Sequence, residues 1–177
     1  MRIFVVLISV AMTVFLTAAM HGGATQKRSP SLCKATEQIF FNCAVKSGKI
    51  ISLCASKQLT AKTGYLQYRF GKIGALELQF PEKLEGSQSA FRYDHYFRPR
   101  VDRSDIVFKN AGYEYTVFDD WEGDVKPEIR QSGVSVVSLT NEKDTTQLDC
   151  RGPRVTRLGA LDEIVPPIED SKLNPPD

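Results

Sequence analysis

The stretch that decides the fold is Gly64-Tyr-Leu-Gln-Tyr-Arg-Phe-Gly71, followed after three residues by Ala75-Leu-Glu-Leu-Gln-Phe-Pro81. In both segments apolar residues alternate with polar ones, and this period of two predicts strands with one buried and one solvated face. The connection through Lys72-Ile-Gly74 has the composition of a hairpin turn. The stretch therefore predicts an antiparallel hairpin, with Tyr68 facing the core and Gln67 facing solvent.

The register of this hairpin is limited because in-facing residues must oppose in-facing residues. Pairing Phe70 with Leu76 meets this requirement, and so does pairing Phe70 with Gly74. We favour Phe70 opposite Leu76, since that register also sets Arg69 opposite Glu77 and gains a cross-strand charge pair.

A hairpin is also predicted upstream, where Ser47-Gly-Lys-Ile50 separates two apolar runs. A two-residue turn at Gly48-Lys49 would have glycine first, as a type II′ turn requires. That turn would place Cys43 opposite Cys54 at a Cα separation of about 5.5 Å, which a disulfide tolerates. A Cys43–Cys54 bridge would leave Cys33 for Cys150. Four cysteines allow three connectivities, however, and the sequence leaves the pairing open.

Residues 1–24 have the features of a secretory signal peptide: an early Arg2, an apolar run over 3–16, and small residues up to Ala24. A transmembrane anchor is the alternative, but the run is shorter than the roughly 20 residues of a span and no basic cluster follows it. Cleavage after Ala24, or after Ala19, leaves about 150 residues, which suits one domain. We expect a periplasmic or secreted protein with disulfide-bonded cysteines and no stable membrane span after cleavage.

The charge and the histidine content exclude several function classes. The chain has a formal charge of +2 at pH 7, too small for a nucleic-acid-binding footprint. Its two histidines are His21, within the predicted signal peptide, and His95, and the sequence contains no C-x-x-C pair. These patterns indicate neither a metal site nor a cofactor.

Alternating segments and turn signals continue along the chain. They predict further strands at about 91–98, 105–109, 112–119, 133–139 and 145–150, with Phe108 opposite Tyr113 and the sheet broken at Gly152-Pro153. Eight or nine short strands without a βαβ rhythm predict an all-β fold: an antiparallel β-meander closed as a small barrel or sandwich of about eight strands.

The ends of the chain complete the predicted domain organisation. Leu158, Leu161 and Ile164 recur at helical spacing and predict a short C-terminal helix at the barrel mouth. We expect a polar leader over 25–37, a single β domain over 38–166 and a disordered tail over 167–177.

Three segments resemble a family of uncharacterised small exported proteins of Gram-negative bacteria: Ile51-Ser-Leu-Cys-Ala-Ser56, Gly64-Tyr-Leu-Gln-Tyr-Arg-Phe-Gly71 and Arg157-Leu-Gly-Ala-Leu161. The resemblance covers nearly the whole mature chain and implies export, but no chemistry. By size, export signal, disulfides and β-meander the chain is also similar, as a class, to periplasmic lysozyme inhibitors. Neither likeness implies a role for any particular residue.

An acidic segment is the first candidate for a functional site. Residues 119–131 are predicted to form a long loop, where Trp121 lies among Asp119, Asp120, Glu122 and Asp124. An aromatic on a long loop is typical of a contact anchor, although Trp121 could equally be a lid packed over the barrel end. The carboxylates could bind calcium, but their spacing does not match an EF-hand loop and favours a solvated loop.

A basic segment is the second candidate. Arg98 and Arg100 flank Pro99 at a connection between strands. With Arg103 and the later arginines at 151, 154 and 157, they form either a basic patch or scattered solvated charge, and we favour the latter. Clusters of opposite sign suit protein recognition better than the binding of one polyanion.

His95 completes the search for catalytic groups. It lies on the in-facing side of its strand beside Tyr93 and Phe97, which favours a structural role over a catalytic one. The sequence therefore predicts a non-enzymatic exported binding protein, with a protein partner such as a hydrolase or toxin and no nucleic acid. The specific hypothesis is an inhibitor or immunity protein against a cell-wall-degrading enzyme. The alternative is a structural or accessory protein of the envelope.

Overall fold

The computed structural model describes residues 29–169, which form nine strands in one antiparallel sheet. The strands are β1 (Glu37–Val45), β2 (Ile50–Ser56), β3 (Leu66–Lys72), β4 (Ala75–Phe80), β5 (Arg92–Arg98), β6 (Val101–Asn110), β7 (Tyr113–Glu122), β8 (Ile129–Ser138) and β9 (Thr145–Thr156). Two short 3-10 helices lie at Ser87–Ala90 and Leu158–Leu161. The predictions for residues 1–28 and 170–177 fall outside the described residues.

The sheet order is β4-β3-β2-β1-β9-β8-β7-β6-β5, so that β1 and β9 join two meanders and β4 and β5 are the edges. The all-β prediction is confirmed. The structure does not show the predicted closed barrel or sandwich of about eight strands, because no ladder joins β4 to β5 within residues 29–169. The sheet is instead a curled half-barrel of nine strands.

Aromatic packing explains how the half-barrel encloses a core although its two edge strands, β4 and β5, do not pair with each other. The ring of Phe108 on β6 stacks on Phe80 of β4 at 4.5 Å and on Tyr115 of β7 at 4.8 Å. Tyr68 of β3 lies 5.0 Å from the same ring and is 1% exposed, as its in-facing assignment predicts. Side chains from the two ends of the sheet therefore meet across the concave face.

The convex face of β1 to β3 is covered by residues 30–34. Asn42 donates a hydrogen bond to the Pro30 carbonyl at 3.0 Å, and the Leu32 amide donates to Ser52 at 3.1 Å. Gln67 on β3, predicted to face solvent, is 2% exposed beneath this segment. The prediction for Gln67 is wrong because a period of two identifies the two faces of a strand, but not whether another segment covers the polar one.

The disulfides join Cys33 to Cys54 and Cys43 to Cys150. The Cys43–Cys54 pair does not form, because Cys43 lies opposite Ile51. The turn between β1 and β2 has three residues, with Gly48 last at φ 76°, rather than two residues with Gly48 first.

Bulges and turn lengths also alter the other predicted registers. Phe70 lies opposite Leu78 rather than Leu76, because the ladder has a bulge at Gly71. A Cβ at that glycine would meet the Ala75 carbonyl oxygen at 2.5 Å, so the bulge requires glycine. Phe108 lies opposite Tyr115 rather than Tyr113, since the β6–β7 turn has two residues and not four.

The strands β7 to β9 are longer than predicted. β7 continues to Glu122 and β8 begins at Ile129, so the predicted long acidic loop shrinks to residues 123–128. β9 runs through Gly152-Pro153, where its ladder with β1 shifts by two residues. The added residues of β7 pair with β6 on one side and with β8 on the other, which keeps this polar stretch extended.

The chain after β9 packs into the end of the half-barrel. The predicted C-terminal helix is a four-residue 3-10 helix, Leu158–Leu161, with both leucines buried. Val165 is buried in the same core cluster. Apolar residues at helical spacing thus reach the core through a single 3-10 turn and the bends after it.

A candidate protein-binding surface at one end of the half-barrel

The β5–β6 turn and the β7–β8 loop lie together, because Val101 at the start of β6 pairs with Glu122 at the end of β7. We call this end of the half-barrel the rim. It comprises Arg98, Arg100, Arg103, Trp121, Glu122, Asp124, Glu128 and Arg130. The rim therefore brings the end of the predicted acidic segment next to the arginines around Pro99.

The opposite charges of the rim pair with each other. Asp124 bonds to Arg98 and lies 3.3 Å from Nε of Arg100. Glu122 bonds to Nη2 of Arg103 at 2.7 Å. The hydrogen bond from Arg98 holds the pKa of the Asp124 carboxyl below its ordinary value. The carboxylates of Glu122 and Asp124 are consequently balanced by neighbouring arginines.

Exposed ion pairs contribute little stability because water and salt screen them, so the main effect of the rim pairs is geometric. Hydrogen bonds at Arg100 also join the β5–β6 turn to the β7–β8 loop. The Arg100 backbone adopts φ 67°, a left-handed conformation that costs a non-glycine residue free energy. The Gly123 amide donates to the Arg100 carbonyl at 2.7 Å, and the Arg100 side chain bonds back to the Gly123 carbonyl. The turn and the loop are thus fixed to one another.

Trp121 lies on strand β7 rather than on a loop, and its side chain is held on two sides. Its indole Nε1 donates to Glu128 at 3.1 Å, and the Arg130 guanidinium lies 4.7 Å from the ring centroid. Gly123 passes so close that a Cβ there would be 2.9 Å from the indole. The ring is half-buried, and Glu128, Arg130 and Gly123 contact it on different sides.

Asp119 and Asp120 lie further from the β7–β8 loop than Trp121 and Glu122, and as adjacent residues of β7 their side chains lie on opposite faces of the sheet. Asp119 accepts a hydrogen bond from Arg154 at 3.0 Å, and burial raises its carboxyl pKa against the opposing effect of Arg154. Asp120 lies on the convex face opposite Arg103, and burial raises its pKa too. Each carboxyl therefore belongs to a different environment from that of Asp124.

Sequence reasoning missed Asp105, whose pKa is raised to about 7 by burial and by the neighbouring carboxylates of Asp120 and Asp94. It also missed Arg130 and Glu128, which hold Trp121. Arg130 lies directly opposite Trp121 in the β7–β8 ladder. That contact can be inferred only when the register between β7 and β8 is known.

The remaining residues that could bind a metal ion contact other groups of the protein. His95 Nε2 lies 2.9 Å from a carboxylate oxygen of Asp102, and its side chain is partly exposed. Among residues 29–169, the one cluster with metal-ligand spacing is Cys33, Glu37 and Cys54. Its two sulfurs form a disulfide and its carboxylate is bonded to Arg69.

Comparison with known proteins gave no match to a family model, to a curated protein or to a solved structure. In the described part of the chain, no helix has the length and apolar character that crossing a membrane requires.

Proposed function

We propose that this protein is a non-enzymatic, exported binding protein that recognises a protein partner through the rim. Its partner is a cell-wall-degrading enzyme, which it inhibits or against which it confers immunity. The observation that carries this proposal is the fixed, partly exposed Trp121 among four arginines, Arg98, Arg100, Arg103 and Arg130. Tryptophan and arginine are the residues most enriched among those that dominate binding energy at protein interfaces.

The rim is also suited to binding by its rigidity. Trp121 is restrained by Glu128 and Arg130, and the turn at Arg100 is bonded to Gly123. Little side-chain freedom would be lost on association, so more of the contact energy would appear as affinity. The rim carries four arginines and three carboxylates, which fits a protein surface of mixed charge.

Export is supported by the two disulfides, which persist in oxidising compartments. The proposal places the protein in the periplasm or the secreted fraction, consistent with the resemblance to small exported proteins of Gram-negative bacteria. Two disulfides would also maintain the fold where cytosolic chaperones are absent.

The test is a binding and inhibition experiment with one matched control. The mature protein is titrated into peptidoglycan-lysis assays with purified muramidases and amidases, and affinity is measured by calorimetry. Trp121→Ala is expected to weaken binding about 30-fold, the effect of losing roughly 2 kcal/mol at a dominant contact residue. Tyr113→Ala, on the same face at the other end of β7, is expected to leave affinity unchanged. If the protein inhibits no hydrolase and retrieves none from an envelope extract, the proposal is wrong.

A second candidate function is that of a structural or accessory protein of the envelope. The observation that favours it is the pair of sheet edges, β4 and β5, to which another chain could add a strand. Stable co-fractionation with an envelope complex, together with an unchanged association of Trp121→Ala, would select this function over inhibition.

A further inference from the structure

Strands β8 and β9 separate from each other on the side of the sheet nearest the rim. Their ladder ends at the pair Gly133–Asp149, although β8 begins at Ile129 and β9 continues to Thr156. Beyond that pair β8 remains paired with β7, while β9 pairs with β1 in a shifted register. The two strands therefore diverge and leave a cleft between them.

The cleft has a volume of about 230 Å³, and its walls carry three arginines. Arg130 comes from β8, and Arg151 and Arg154 come from β9. Among the described residues that line it, Asp149 is the one carboxylate, and it accepts a hydrogen bond from Gln147 at 2.8 Å. An excess of positive charge in a small cleft favours an anionic ligand.

The two arginines of β9 keep donors free for such a ligand. Arg151 is exposed and makes no hydrogen bond or ion pair within residues 29–169. Arg154 donates from Nε to Asp119 at 3.0 Å, which leaves its terminal nitrogens for other acceptors. Asp119 balances part of the charge of Arg154, so Arg151 supplies the unbalanced charge of the cleft.

Arg130 also keeps donors free, because its contact with Trp121 uses the face of the guanidinium. The guanidinium lies 4.7 Å from the ring centroid, and one terminal nitrogen lies 3.8 Å from Glu128. The N–H donors of a guanidinium lie in its plane, at right angles to a stacked face. Arg130 can thus hold Trp121 and donate into the cleft at the same time.

Uncharged donors face the cleft as well. Ser132 lines it and is only 5% exposed, yet its hydroxyl has no hydrogen-bond partner in the described part of the chain. Buried hydroxyls normally have a partner. The Ser138 amide donates to Asp144 on the β9 side, so by alternation the Arg130 amide points to that side too, beyond the end of the ladder.

We propose that this cleft binds a phosphate group. Guanidinium groups bind phosphate oxygens through paired, charge-assisted hydrogen bonds. The donors approach from two strands, which suits the tetrahedral oxygens of a phosphate better than the planar pair of a carboxylate. A neighbouring groove of about 530 Å³ shares Arg151 with the cleft and adds Lys46, and it would take the rest of the molecule that carries the phosphate.

The first test is calorimetric titration of the mature protein with inorganic phosphate. We expect saturable binding at one site, weakened about tenfold or more by Arg151→Ala, which removes charge-assisted hydrogen bonds. Arg92→Ala is the matched control, since it removes the same charge from an exposed arginine of β5 outside the cleft. Its affinity is expected to be unchanged. Absence of saturable binding, or equal weakening by the two substitutions, would overturn the inference.

Ser132→Ala tests the cleft from its other wall. It is expected to weaken phosphate binding about threefold, the effect of losing one uncharged hydrogen bond, with no change in melting temperature. Unchanged phosphate affinity would contradict the placement of the phosphate beside Ser132. Arg151 and Ser132 both lie outside the rim, so neither substitution is expected to change the binding of a hydrolase. Failure of this inference is therefore distinguishable from failure of the proposed function.

Two further probes identify the source of the phosphate. Tighter binding of a phosphorylated sugar than of inorganic phosphate would support a soluble phosphomonoester as the ligand. Binding to vesicles that contain phosphatidic acid, lost in Arg151→Ala, would support a lipid headgroup. Binding of either probe that Arg151→Ala leaves unchanged would overturn the inference.

Discussion

Arg69 of β3 and Glu37 at the start of β1 form a two-pronged ion pair with N–O distances of 2.6 and 2.7 Å. Their side chains are only 3% and 0% exposed. The other guanidinium hydrogens go to Gln67 and the Leu32 carbonyl, and Glu37 also accepts from Tyr65 and the Lys34 amide. The pair joins the residues 30–34 that cover the convex face to the sheet below them.

Removing one member of this pair leaves a buried charge without its partner, which typically costs about 3–5 kcal/mol. We therefore expect Arg69→Met or Glu37→Gln to lower the free energy of unfolding by that amount in urea denaturation. The double variant should cost clearly less than the sum of the two, because neither buried charge remains. Additive effects would mean that the two side chains do not interact.

The same pair predicts acid sensitivity. Burial tends to raise the pKa of Glu37, but hydrogen bonds, chiefly from Arg69, outweigh it and the net shift is downward. A carboxyl with a lowered folded-state pKa stabilises the protein above its unfolded-state pKa, and that stability is lost as the pH falls through the folded-state value. Glu37→Gln should accordingly show a flatter stability profile below pH 5 than the unsubstituted protein. Parallel profiles would contradict the assignment.

Burial on both faces of β3 predicts that two neighbouring truncations both destabilise. Tyr68→Ala should cost about 3–5 kcal/mol, as for other large buried side chains. Gln67→Ala should cost about 1–3 kcal/mol, because it removes the acceptor for two Arg69 hydrogen bonds and the donor to the Pro81 carbonyl. Gln79→Ala, on the exposed strand β4, is the control and should change stability by less than about 0.5 kcal/mol. A neutral Gln67→Ala would mean that residues 30–34 do not cover this face in solution.

Much of the fold could be predicted from local patterns, because strand identity depends on alternation within a few residues. The registers could not, since they depend on where Gly48 and Gly71 fall within a turn or a bulge. The burial of Gln67 could not be predicted either, because the covering segment is more than thirty residues away in the sequence. For the same reason the rim was predicted as two separate charge clusters, which the Val101–Glu122 pairing brings together.

The two disulfides are expected to stabilise different parts of the chain by different amounts. All four cysteines are bonded, so a thiol titration of the unfolded, unreduced protein should find almost none free. Cys43–Cys150 spans 107 residues and Cys33–Cys54 spans 21, which in the chain-entropy model corresponds to about 4–5 and about 3 kcal/mol. The double variant Cys33→Ala/Cys54→Ala should also expose the chain at Lys34 to trypsin while the core stays folded. Unchanged trypsin resistance would show that the other contacts of residues 30–34 suffice to hold them.

Asp105 predicts a stability change in the opposite direction with pH. Its pKa is raised to about 7, first by burial and then by Asp120 and Asp94, so the folded protein retains a proton that the unfolded chain has released above pH 4. The free energy of unfolding therefore falls as the pH rises from about 4 to 7, and the loss is complete above 7. Asp105→Asn removes this loss and should raise the melting temperature at pH 8 by several degrees, with a much smaller effect at pH 4. Asp149→Asn, an exposed carboxyl on the same convex row, should shift it by a degree or less at either pH. A gain from Asp105→Asn that is the same at pH 4 and pH 8 would show that the substitution acts by packing, and that Asp105 is ionised in the folded protein throughout this range.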